Sequence, residues 1–168
     1  MLYKIFNGPM PTAASQAAVT TGTGIKTLLQ IKPGPTQVVR LVEWGISFDG
    51  AAAATPGIVE LGVTDVAATV TAHTASGIHK YNAAAIGAGD PTTAQFAVGA
   101  TATGYTATAE GTIATWRLAE ARHIAPTDGI WFQFPLGREF MVNPGEFLRV
   151  RVKFAVAVNA ICYVLVEA

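Results

Sequence analysis

Charge is scarce in this chain. Asp, Glu, Lys and Arg make up 13% of its 168 residues, against roughly 25% in an ordinary soluble domain. The eleven basic residues balance the eleven acidic ones, so no global field draws the protein to nucleic acid or to an anionic membrane. Cysteine is nearly absent. Cys162 stands alone, which excludes an intrachain disulfide, and its setting in Ala160-Ile161-Cys162-Tyr163-Val164 is that of a small buried hydrophobe rather than a reactive thiol. Long apolar runs are missing too: Ala155 to Val158 and Ala160 to Val166 are separated by Asn159 and fall far short of the roughly 20 residues a membrane helix needs. The opening stretch Met1 to Pro9 has no sustained apolar segment of the secretory kind. Signals for amphipathic helices are almost absent.

Equally thin is the supply of catalytic parts. The serines are Ser15, Ser47 and Ser76, none inside the Gly-x-Ser-x-Gly turn that exposes a nucleophile. His73, His79 and His123 are not spaced as metal-binding pairs and no carboxylate completes such a set; a His73/His79 pair is the nearest approach. Gly22-Thr23-Gly24-Ile25-Lys26-Thr27 lacks the Gly-Lys step and upstream glycine of a phosphate loop. Carboxylates for glycoside chemistry would have to come from Glu43, Asp49, Glu60 and Asp65, which read as solvated polar residues. No catalytic, cofactor-binding or metal-ligating residues are therefore expected, and an enzyme is not.

What the chain does have is Ala, Thr, Gly and Val, with 17 glycines and 9 prolines punctuating short apolar runs. That is the pattern of many short strands joined by turns. Residues 38–48 alternate, with Val42, Trp44, Ile46 and Phe48 on one face. Residues 147–154 alternate more cleanly, with Leu148, Val150, Val152 and Phe154 inward and Arg149, Arg151 and Lys153 outward. Residues 161–166 are apolar on both faces, as in a strand covered on both sides. Further strands are predicted at 2–6, 25–31, 58–64, 112–118 and 130–134. This spacing, without intervening helices, predicts one all-β domain over 1–168: a jelly-roll-like antiparallel β-sandwich. Two segments depart from it. Residues 7–24 are uncharged and rich in Pro, Ala, Thr and Gly, which predicts an extended N-terminal arm, and residues 82–110 predict a long loop.

Two features stand out as candidate contact surfaces. The outward stripe Arg149, Arg151 and Lys153 could meet phosphates or an acidic partner, or form a solvated face that protects a sheet edge. The segment from Trp131 to Phe140 is the densest in aromatics. Alternation sets Trp131 opposite Phe132 and Phe134, so Trp131 and Phe140 belong either to a subunit interface or to a core-plugging corner. Low charge and zero net charge favour association, and a β-sandwich with apolar faces closes readily into a homotrimer.

The runs Arg40-Leu41-Val42-Glu43-Trp44-Gly45-Ile46-Ser47-Phe48-Asp49-Gly50, Thr64-Asp65-Val66-Ala67-Ala68-Thr69-Val70-Thr71-Ala72-His73, Gly104-Tyr105-Thr106-Ala107-Thr108-Ala109-Glu110-Gly111-Thr112 and Pro135-Leu136-Gly137-Arg138-Glu139 resemble those of head decoration (cement, or minor capsid) proteins of tailed bacteriophages. The resemblance implies a virion protein on the outer capsid surface, trimeric, cementing neighbouring copies of the major capsid protein, with no cofactor. It assigns no contact residues. Three other classes stay open: a receptor- or glycan-binding module, for which Trp116, Trp131 and Tyr105 are the available anchors, a phage tail or fibre component, and, last, a hydrolytic enzyme on the same fold, which would need a His and a carboxylate brought together in a pocket.

Overall fold

A computed structural model describes residues 1–83, 85, 91 and 94–168. Thirteen strands run through these residues: β1 (Leu2–Phe6), β2 (Val19–Thr20), β3 (Lys26–Ile31), β4 (Val39–Phe48), β5 (Gly57–Thr64), β6 (Thr69–Ala72), β7 (Ile78–Lys80), β8 (Gly104–Ala109), β9 (Arg117–Ile124), β10 (Gly129–Gln133), β11 (Phe140–Val142), β12 (Phe147–Lys153) and β13 (Asn159–Glu167). They form two antiparallel sheets. The first is ordered β10-β4-β13-β1-β7, with β11 also on β4 and β2 also on β13; the second is ordered β6-β8-β3-β12-β5-β9. The chain changes sheet at β2 to β3, β3 to β4, β4 to β5, β6 to β7, β7 to β8, β9 to β10, β11 to β12 and β12 to β13. The expected antiparallel β-sandwich is therefore what the sequence folds into.

Alternation explains the core. On β12, Leu148, Val150 and Val152 are buried as predicted, and Phe154 beyond it packs edge-on against Phe48 with ring centroids 4.8 Å apart. From the first sheet Tyr3, Ile5, Trp44, Ile46, Cys162 and Val164 meet them. Each such aliphatic or aromatic side chain contributes on the order of 1.5–3 kcal/mol relative to exposure. The phase of β4 differs from the prediction in one place. Val42 is only half-buried, whereas Val39 and Leu41 face the core together with Trp44, Ile46 and Phe48. The register against β13 moves from Leu165 opposite Glu43 to Val166 opposite Leu41, so Val42 is the extra residue of a bulge and period two restarts around it.

One strand expectation is corrected, and two further segments take the form described below. The strand predicted at 112–118 lies at Arg117–Ile124, because residues 112–116 cross the outside of the second sheet, where Trp116 packs on Gly62; a Cβ on Gly62 would stand 2.6 Å from its ring. The long loop predicted at 82–110 falls partly outside the described residues. Its described part contains strand β8, paired with β3 and β6, and the buried Phe96, whose ring meets Tyr3 at 5.3 Å. Small residues hid that strand from periodicity. Finally, the uncharged segment 7–24 is tied at both ends. Asn7 donates to the Ala160 carbonyl (2.9 Å) and accepts from the Cys162 N–H (3.0 Å), while Thr21 Oγ1 accepts from the Val158 N–H (3.1 Å). Between them, residues 9–18 carry no strand and are mostly exposed.

Candidate interaction surface

The two basic and aromatic segments singled out in the sequence meet different fates. On β12, Arg149 lies directly between Gln30 of β3 and Gly62 of β5, on the face turned away from the core. That face is covered by other parts of the chain. Arg149 is 0% exposed: it donates to the Glu110 carbonyl (3.0 Å), to the Glu110 carboxylate (3.3 Å) and to the Val66 carbonyl. The same carboxylate accepts from the Thr27 N–H and hydroxyl, both at 2.6 Å. Burial pulls the Arg149 guanidinium below its ordinary value and the Glu110 charge opposes that shift. Arg151 is half-covered, paired with Glu60 at 2.5 Å and stacked 3.9 Å from the Trp116 ring. The expected outward stripe of three cations thus reduces to Lys153, which alone of the three is exposed. An Arg is tolerated here because a carboxylate and two carbonyls replace its water.

The aromatic segment remains open to solvent in part. β10 pairs with β4 so that Ile130 and Phe132 oppose Ile46 and Trp44, and Trp131 opposes Gly45. Period two then sends Trp131 to the outer face, where it is 62% exposed. Gly45 lacks a side chain because Tyr163 of β13 lies over it, 2.8 Å from where a Cβ would stand. The Tyr163 hydroxyl donates to Glu43 (2.6 Å), and Lys4 sits 3.9 Å over its ring. Burial first, then the Glu43 carboxylate, raise the Tyr163 phenol well above its ordinary value. Trp131 is therefore an exposed ring on a fixed base.

Beyond β10 the chain leaves the sheet edge in a tight turn. The Arg138 N–H donates to the Pro135 carbonyl (2.9 Å) and Gly137 adopts a φ of +80°, a conformation that favours glycine. The Glu139 carboxylate accepts from the Gly137 N–H at 3.0 Å; its own backbone N–H first, then that bond and the nearby Arg40, hold it below the usual carboxylate range. This fixed turn presents Leu136 at 98% exposure. The chain then rejoins β4 as β11, where Met141 opposes Arg40 on the outer face and is 43% exposed. Trp131 and Met141 bracket the turn. Their partners Gly45 and Arg40 are five residues apart along β4, about 16 Å at strand rise. The result is an apolar ridge of Trp131, Leu136 and Met141, edged by Glu43, Arg40, Arg138 and Glu139.

Phe140 does not join that ridge. It is half-buried against the core beneath Arg117, whose guanidinium lies 4.9 Å from its ring and donates to the Met141 carbonyl and to Glu146. Leu136 and Met141 were missed in the sequence. The turn chemistry of Pro135-Leu136-Gly137-Arg138 was the available signal: a leucine beside a turn glycine is forced out of any strand face.

The remaining polar residues lie apart. His73 is buried, its Nε2 2.8 Å from the Phe6 carbonyl and its ring 4.8 Å from Tyr105, and burial lowers its pKa. His79 lies on β7 opposite Lys4, and His123 is exposed on β9. Among the described residues no three His, Cys, Asp or Glu side chains gather as a metal set. Burial pushes the Cys162 thiol far above its ordinary value. No helix among the described residues is long and apolar enough to cross a membrane. Comparison with protein-family models, curated proteins and solved structures gives no match to this chain.

Proposed function

We propose that this protein is a structural subunit of a virus particle, which binds the outside of a phage capsid as a homotrimer and cements neighbouring major capsid subunits. One observation carries the reading: a rigid sheet margin holds Trp131, Leu136 and Met141 out in solvent, although the same fold buries an arginine elsewhere. Apolar anchors ringed by polar groups are the anatomy of a protein contact. Two further features support it. The mostly exposed residues 9–18 form an uncharged strap suited to lying on a neighbouring protein, and several weak contacts made by one trimer act together through effective concentration. The role is structural, not catalytic. The phage setting comes from the sequence resemblance.

The test is sedimentation of a lysate from the native source, with mass spectrometry of the particle and soluble fractions. Presence in particles at a fixed ratio to a major shell protein is expected. Presence only in the soluble fraction would remove the reading. A second reading, receptor or glycan binding, is favoured by the exposed Trp131 ring beside Tyr163 and Glu43, since a flat indole can stack on a sugar face. Binding to a glycan array that disappears with Trp131→Ala would move it ahead.

A further inference from the structure

The closed face of the second sheet ends at an open margin. Where the cover over Arg149 and Arg151 stops, two isoleucines stand partly in water: Ile25, just before β3, is 50% exposed, and Ile58 on β5 is 39% exposed. Both line a hollow of about 130 Å³, together with Glu60, Arg151, Val152 and Lys153. Ile25 also borders a second hollow of about 180 Å³, whose lining includes Lys26 and Glu110. Each is below the size of a small-molecule pocket and holds one side chain of a partner.

Charge at this margin is unevenly matched. Glu60 pairs with Arg151 at 2.5 Å, and Glu110 with Arg149 at 3.3 Å, so both carboxylates have their cation within the chain. The lysines have no such partner: among the described residues neither Lys26 nor Lys153 enters an ion pair. Two lysine charges are left over here on a chain whose net charge is zero.

We infer that this margin docks an acidic segment of a partner protein, with an aliphatic side chain entering the Ile25–Ile58 hollow and a neighbouring carboxylate reaching Lys153. Charge complementarity selects that occupant. A neutral apolar partner would strip water from the lysines and put no opposing charge in its place. An anionic membrane is recognised by clusters of about four to eight cations, and here two free lysines stand beside two carboxylates. Lys26, in the adjoining hollow, offers the place for a second acidic residue. The contact lies on the sheet opposite to the Trp131–Leu136–Met141 ridge and does not rest on the capsid reading.

Methyl NMR tests it on the intact chain, with isoleucine δ1 and methionine ε methyls labelled and the peptide acetyl-Gly-Ser-Leu-Asp-Asp-Gly-amide as the probe. Saturable shifts of the Ile25 and Ile58 methyls are expected, with Met141 unmoved. Asparagine in place of both aspartates should weaken binding about fivefold, the scale of exposed ion pairs. A Lys26→Gln/Lys153→Gln double variant, changed only at side chains outside the core, should bind the two peptides alike. Equal binding of the two peptides by the wild type would overturn the acidic partner. No shift of either isoleucine at several millimolar peptide, or shifts confined to Met141, would overturn the site. Broadening of the Ile25 and Ile58 methyls by phosphatidylserine vesicles, with no response to the peptide, would put a membrane in place of the protein and overturn the inference.

Discussion

The outer faces of the two sheets solve opposite problems. Over the second sheet the chain folds its own segments around a cation, so that Glu110, Val66, Thr27 and Trp116 cover Arg149 and Arg151. Over the β10–β11 margin of the first sheet it leaves a tryptophan, a leucine and a methionine uncovered. A charge inside and apolar groups outside is the reverse of what transfer free energies favour. The difference lies in who supplies the cover. Arg149 meets an opposing carboxylate and two carbonyls within the molecule, its Nε alone left without a hydrogen-bond partner, while the ridge has no intramolecular cover, which is why we propose that its cover comes from a partner.

The largest expected effect strikes the covered face. Glu110→Ala leaves Arg149 buried beside two carbonyls with no opposing charge and should cost about 3 kcal/mol or more, read by urea denaturation. A loss under about 1 kcal/mol would mean that the face is less closed than described. Next comes the turn. Gly137→Ala forces an L side chain to a φ of +80° and should cost about 1 kcal/mol in the same measurement, while weakening association by loosening the Leu136 turn. A third test concerns pH. His73 is buried and neutral with a lowered pKa, so the unfolded chain binds the extra proton more readily. Stability should therefore fall as pH drops below about 6.5 towards the depressed folded value, and His73→Gln should flatten that slope; an unchanged slope would assign it to other groups. The smallest effect on folding belongs to the ridge. Leu136→Asp in the isolated chain should change stability by no more than about 0.5 kcal/mol, and a larger loss would mean that the leucine has an intramolecular role.

How much of this was legible beforehand follows the same division. Where one strand face is buried and the other wet, alternation carries the information, and β4, β5, β10, β12 and β13 were readable to within a few residues. Periodicity reports only which side of a strand a residue takes. It placed Arg149 on the face away from the core, correctly, but Val66 and Glu110, which cover it, come from 83 and 39 residues away. The bulge at Val42 was invisible for a similar reason: it exists in the register with β13, not in the strand itself. β8 was hidden because Gly104, Thr106 and Ala107 give no apolar contrast. At the candidate surface, Trp131 was readable from its phase, while Leu136 and Met141 needed the turn geometry.

The most direct measurement is oxidative footprinting of the assembled protein against its Leu136→Asp variant. If the ridge is a protein contact, Trp131 and Met141 should be protected in the assembly and oxidised in the variant, while Met1, at 61% exposure, reacts equally in both. Equal oxidation of Trp131 and Met141 in the two samples would contradict the account.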